Sequence, residues 1–278
     1  MSSTELVRFD ATDGRRLSGL FYAPRKAKSI IVWMHGLGGS IFDSDRTNEL
    51  ADGFAERRIA FFPFNNRGAT RLGSAYEVIR DCVKDIDGAL REVRRRGFRD
   101  ITLAGHSTGA NKVAVYNHYK PRNPVKRYVL LAGGDDTGLL HRELGARRVR
   151  IYLAHKRTDE LMPHRLMTWR AFHDMANPNG DYNVFAFDAA TRGRRPFRFI
   201  REIRKPSLYI YGENDEFGFD AELLAQNVGA KAEIVVMRDA DHGFHGHENE
   251  LATLIADWIG TPARASTAAN ARCPHPSS

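Results

Sequence analysis

Cysteine is scarce: the 278 residues hold only Cys82 and Cys273. One falls in a helical pattern and the other in a polar tail, so a disulfide framework is not expected and a reducing, cytoplasmic setting is. Long apolar runs are also missing. No stretch approaches the roughly 20 residues of a membrane-spanning helix, and residues 1–10 lack the basic and apolar regions of a secretory leader. Neither a dinucleotide fingerprint nor a phosphate-binding P-loop occurs. His242, His245 and His247 follow the spacing H-x-x-H-x-H behind Asp241. That matches neither the H-E-x-x-H helix nor a set with further ligands elsewhere, so no metal and no cofactor are expected.

The net charge of +8 and pI of about 9.6 raise nucleic acid as a partner. The arginines are dispersed, however, apart from Arg94 to Arg96 and the group Arg192, Arg194, Arg195 and Arg198. With no nucleic-acid-binding motif beside them they read as a solvated basic face, and nucleic acid is not expected. The second group could also steer anionic substrates. Hydrophobic residues at 42% and charged residues at 27% describe an ordinary globular chain.

Short apolar runs alternate with helical patterns, the signature of an α/β fold with a mostly parallel sheet covered by helices on both faces. The runs are 29–34, 59–64, 101–104, 128–132, 208–211 and 233–237. Residues 6–10 and 17–22, around Thr12-Asp13-Gly14, suggest an antiparallel hairpin at the sheet edge. A helix is expected over 74–96: Ile79, Val83, Ile86, Leu90 and Val93 form one stripe, Ser74 and Glu77 fit a capping box, and Gly97 ends it. Leu251, Leu254, Ile255, Trp258 and Ile259 mark a last helix. The alternation breaks down over 134–203, a segment too apolar for a loop, which predicts a helical cap inserted into one domain of residues 1–260. Residues 261–278 read as a mobile tail.

Chemistry concentrates at strand ends. Gly105-His106-Ser107-Thr108-Gly109 follows the 101–104 run and opens a helix, so the glycines would permit a sharp strand-to-helix turn presenting the Ser107 hydroxyl. A serine hydroxyl needs a base and a group to orient that base. Asp215, in Gly212-Glu213-Asn214-Asp215, and His242, in Asp241-His242-Gly243-Phe244, each follow a later run, in the order Ser, Asp, His. Asp135 and Asp136, after 128–132, are alternative acids, or else anchors of the cap. Amides of Leu37, in His35-Gly36-Leu37-Gly38-Gly39, and of Thr108 would bind an oxyanion. His35 and Arg67 read as structural. Trp169 and Phe172 belong either to a small core of the cap or to a substrate pocket.

Together with Asn66-Arg67-Gly68, these motifs over residues 5–260 resemble the α/β-hydrolase superfamily. Within it, the Ser-Thr-Gly turn and Asp159-Glu160-Leu161-Met162-Pro163 resemble esterases related to the fungal siderophore esterases. The resemblance implies a carboxylic-ester hydrolase acting on a small-molecule ester, large or cyclic, through an acyl-enzyme on Ser107. Acyl transfer or thioester cleavage on the same three residues, and a non-catalytic binding module on this scaffold, are the alternatives.

Overall fold

The computed structural model describes residues 3–42 and 46–260; the expected tail 261–278 lies outside the described residues. The strands are β1 (Ser3–Asp10), β2 (Arg16–Ala23), β3 (Ser29–Met34), β4 (Ile59–Asn65), β5 (Asp100–His106), β6 (Arg127–Leu131), β7 (Ser207–Gly212) and β8 (Ala232–Met237). They form one sheet in the order β1-β2-β4-β3-β5-β6-β7-β8. β1 and β2 are the expected hairpin, antiparallel with Phe9 opposite Leu17, and β2 meets β4 antiparallel. From β4 to β8 all neighbours are parallel. Parallel strands covered on both faces need apolar side chains throughout. Accordingly Ile30 to Met34 and the whole of β7 are buried.

The described helices are α1 (Arg46–Glu56), α2 (Thr70–Ser74), α3 (Cys82–Arg95), α4 (Thr108–Tyr119), α5 (Asp136–Leu144), α6 (Ala146–Leu153), α7 (Trp169–Met175), α8 (Arg198–Arg201), α9 (Ala221–Ala225) and α10 (Glu248–Gly260). α1 and α10 pack together on one face of the sheet, over Ile31, Phe61, Val129 and Ile210. α3 and α4 cover the other, over Ile30, Val32, Leu103 and Leu130. Between β6 and β7 the chain passes through α5 to α8, the segment expected as a cap.

The single helix expected over 74–96 is broken. Ser74 ends α2, residues 75–78 leave the helical path, and a 3-10 turn at Ile79–Asp81 leads into α3. The Ser74–Glu77 capping box does not form: Ser74 Oγ donates to the Arg71 carbonyl (2.8 Å), and Glu77 turns inward. A cap contributes only about 1 kcal/mol, less than it would cost to leave the buried ammonium that Glu77 meets without a counter-charge. The apolar stripe from Ile79 to Val93 is buried as its spacing requires. Gly97 and Phe98 close α3 by donating to the Arg94 and Val93 carbonyls (3.0 and 3.2 Å).

Candidate active site

β5 ends at His106 and α4 begins at Thr108, which leaves Ser107 alone in the turn at φ 57°, ψ −132°. For a residue bearing a side chain, such backbone costs on the order of 1–3 kcal/mol, so its surroundings must hold it. They do so with two bonds. The Ser107 amide donates to the Leu131 carbonyl at the end of β6 (2.9 Å), and the Ser107 carbonyl accepts from the Ala110 amide (2.8 Å). A Cβ on Gly105 would collide with the Gly109 carbonyl, and one on Gly109 with the Met34 carbonyl of β3, so the turn closes only with glycine at both positions.

The loop after β3 runs over this turn: a Cβ placed on Gly36 would lie 3.1 Å from that of Ser107. Leu37 is the next residue of the loop, and Thr108 is the first residue of α4. His35 braces the loop. Its Nδ1 donates to the Gly36 carbonyl (2.8 Å), so Nε2 must be the acceptor for the Asn66 amide (3.3 Å). Burial, assisted by the charge of Lys112, pushes the His35 imidazole down to about 3 and keeps it neutral.

β7 and β8 each deliver one further group to the same carboxyl edge. Asp215 follows β7 with its side chain 3% exposed, and His242 follows β8. His242 Nδ1 lies 3.0 Å from both carboxylate oxygens of Asp215. A carboxylate partner fixes the proton on Nδ1 and leaves the Nε2 lone pair available as a base. Asp215 also accepts from the Phe217 amide (3.0 Å), while the Phe217 ring stands edge-on to His242 with centroids 4.6 Å apart. The serine turn reaches the histidine through His106: its Nε2 donates to the His242 carbonyl (2.7 Å), and the two rings lie 5.0 Å apart.

The alternative acids go elsewhere. Asp135 caps α5 by accepting from the Gly138 amide (2.7 Å) and ties down the Asp188 amide (2.7 Å). Asp136 accepts from Asn111 Nδ2 (3.0 Å) and bonds the Thr108 hydroxyl; burial pushes its carboxyl up to about 7, against the pull of that hydroxyl. Beside it Lys112 Nζ meets Glu77 Oε2 at 2.8 Å with both side chains fully buried, and the Tyr182 hydroxyl donates to Glu77 Oε1 (3.0 Å). Sequence reasoning missed this pair. Lys112 stands in an otherwise buried run from Thr108 to Asn117, but a lone lysine on a helix ordinarily signals a solvated face.

Arg67 is structural, joined to Asp85 (2.8 Å) and Asp13 (3.0 Å). His245 and His247 pair separately with Asp241 (2.7 Å) and Glu250 (3.2 Å). Trp169, 7% exposed, and Phe172, fully buried, pack around Tyr152 in the core of the segment between β6 and β7. Of their two expected roles, this placement is the core one; so little exposed surface makes them poor pocket walls. An open groove of about 690 Å³ lies beside the loop after β3, lined among others by Arg8, Arg15, Arg16, Thr70 and Tyr76. It abuts that loop where the Thr70 amide donates to the Gly39 carbonyl (3.0 Å).

Known proteins agree with this architecture. The model of the alpha/beta hydrolase family matches residues 31–254, and the chain belongs to that family. Among solved structures it is similar to Est1E from Butyrivibrio proteoclasticus with ferulic acid bound, at 15% identity and TM-score 0.66 over 90% of this chain and 97% of that one. The Pyrococcus furiosus esterase PF2001 is similar at 15% identity and TM-score 0.63, covering 93% and 91%. A putative hydrolase from Agrobacterium vitis S4 is similar at 18% identity and TM-score 0.66, covering 93% and 99%. No curated protein sequence matches significantly. Among the described residues no helix is long and apolar enough to cross a membrane.

Proposed function

We propose that the protein is a carboxylic-ester hydrolase in which Ser107 is the nucleophile, His242 the general base and Asp215 the acid that orients it. One observation carries the reading: His242, held by Asp215 through Nδ1, stands at the sheet edge where Ser107 occupies its strained turn. Ser107 Oγ attacks the ester carbonyl carbon as His242 Nε2 takes its proton. The amides of Leu37 and Thr108 stabilise the tetrahedral oxyanion; it collapses to an acyl-enzyme as the protonated histidine gives its proton to the leaving alkoxide. Water, deprotonated by His242, then releases the acid and regenerates Ser107. Thr108 opens the 12-residue α4, whose N-terminal partial positive charge favours the developing anion.

The substrate that the sequence resemblance implies is a bulky ester, large or cyclic; the groove of about 690 Å³ beside the loop after β3, which neither Ser107 nor His242 lines, would take only a part of it distant from the reacting carbonyl. Its rim is amphipathic: Leu72 and Tyr76 are exposed beside Arg8, Arg15 and Arg16. The test is hydrolysis of a panel of acyl esters, lactones and hydroxamate siderophores by wild type and Ser107→Ala, with fluorophosphonate labelling in parallel. Ser107→Ala is expected to lose both labelling and turnover. Undiminished hydrolysis by the purified variant would overturn the assignment.

A further inference from the structure

Arg194, Arg195 and Arg198 line a second cavity, remote from Ser107. It measures about 420 Å³ and is lined by residues that include Asn179, Gly180, Asn183, Arg194, Arg195 and Arg198. α8 lies against α4 near its C-terminal end, where Asn117 Nδ2 donates to the Glu202 carbonyl (3.4 Å). Ser107 precedes the opposite end of that helix, and at 1.5 Å per residue the two ends are roughly 15 Å apart.

The walls are fixed. Gly193, at φ 67°, passes so close that a Cβ would collide with the Pro178 carbonyl. The Arg194 amide donates to Asn179 Oδ1 (2.8 Å). Arg198 donates to the Gly180 carbonyl (3.3 Å) and to Asp181 Oδ1 (3.0 Å), and its guanidinium lies over the Phe199 ring. Asp181 is already shared with Arg80 (2.8 Å) and the Tyr119 hydroxyl (2.9 Å). The nearest carboxylate to Arg195, that of Glu202, is 3.9 Å away and is bonded to His118 (2.5 Å). Arg194 has no acidic partner among the described residues. Positive charge is therefore in surplus around the cavity.

Asn183 supplies a second and different demand. It is 4% exposed, and its Nδ2 donates to the Pro178 and Thr191 carbonyls (2.7 and 2.6 Å). Both amide hydrogens are thus committed, which fixes the orientation of the side chain. Among the described residues, its Oδ1 has no hydrogen-bond partner although it is buried. A buried acceptor left in this way calls for a donor.

We propose that this cavity is a binding site for a small oxyanion that carries its own O–H donor, hydrogen phosphate being the simplest. Arg194 and Arg195 take its charge, and a small shift of the side chains that cover Asn183 Oδ1 lets that oxygen accept its hydroxyl hydrogen. The geometry makes a discriminating claim, because sulfate has nearly the same size and charge at neutral pH but no donor to offer. Titration calorimetry on the full chain at pH 7.5 and constant ionic strength compares inorganic phosphate with sulfate. Phosphate is expected to bind at least tenfold more tightly than sulfate, and Arg194→Ala/Arg195→Ala to weaken phosphate at least tenfold. Both arginines are exposed, so the variant keeps its fold, which unfolding in urea verifies. Equal binding of phosphate and sulfate, no binding of either, or undiminished phosphate affinity in the double variant would overturn the proposal. The readout is binding, so it is independent of whether Ser107 is the nucleophile.

Discussion

Ser107 stands where a side-chain-bearing residue is disfavoured, at φ 57°. Glycine adopts this backbone without strain, and the relief of about 1–3 kcal/mol exceeds its added unfolded-chain entropy of about 0.5–1 kcal/mol. Ser107→Gly is therefore expected to unfold at higher urea than Ser107→Ala, by about 1 kcal/mol, with both inactive. Asp215→Asn would change little in packing but would disturb the tautomer of His242. Its kcat is expected to fall about 10³- to 10⁴-fold with the unfolding midpoint nearly unchanged, measured on a soluble ester. Asp136 gives a pH signature instead. Burial pushes its folded carboxyl up to about 7 from an ordinary 3.8, so the native state binds the extra proton between these limits and loses stability as pH rises through them. Asp136→Asn should flatten the fall in unfolding free energy between pH 4 and 7 by up to about 4 kcal/mol, read from urea melts against wild type.

The strands were legible because a parallel sheet imposes one simple demand, apolar residues on both faces, and all six expected runs are β3 to β8. The positions of Ser107, Asp215 and His242 at strand ends were legible for the same reason. The break at residues 75–78 was not. Local signals at Ser74 and Glu77 favour continuing a helix, and only the distant Lys112 and Tyr182 turn Glu77 inward. Long-range pairing of this kind leaves no local trace, and the arginine groove at the hairpin edge was hidden likewise. The buried pair has a measurable consequence for the elements it joins. Lys112→Met strands the Glu77 carboxylate and is expected to destabilise by about 3–5 kcal/mol; adding Glu77→Gln should restore most of this, as an equilibrium double-mutant cycle would show.

Across the molecule the surplus of +8 is unevenly spent. Arg194, Arg195 and Arg198, expected with Arg192 either to steer substrate or to form a solvated face, lie by the far end of α4, whereas Arg8, Arg15 and Arg16 line the groove beside the loop after β3. Raising salt shortens the Debye length from about 30 Å at 0.01 M to about 3 Å at 1 M. Over that range kcat/KM for an ester bearing a carboxylate should fall several-fold and that for its neutral analogue stay flat. The segment between β6 and β7 is anchored to the body from several directions: the Thr168 amide to the Ala75 carbonyl (2.8 Å), the Ile79 amide to Asp174 (3.2 Å) and Tyr182 to Glu77. Ties at these three points are expected to hold the segment against the body. If the proposed hydrolysis holds, substrate and product are expected to pass through a standing opening, and kcat should show no step for movement of this segment.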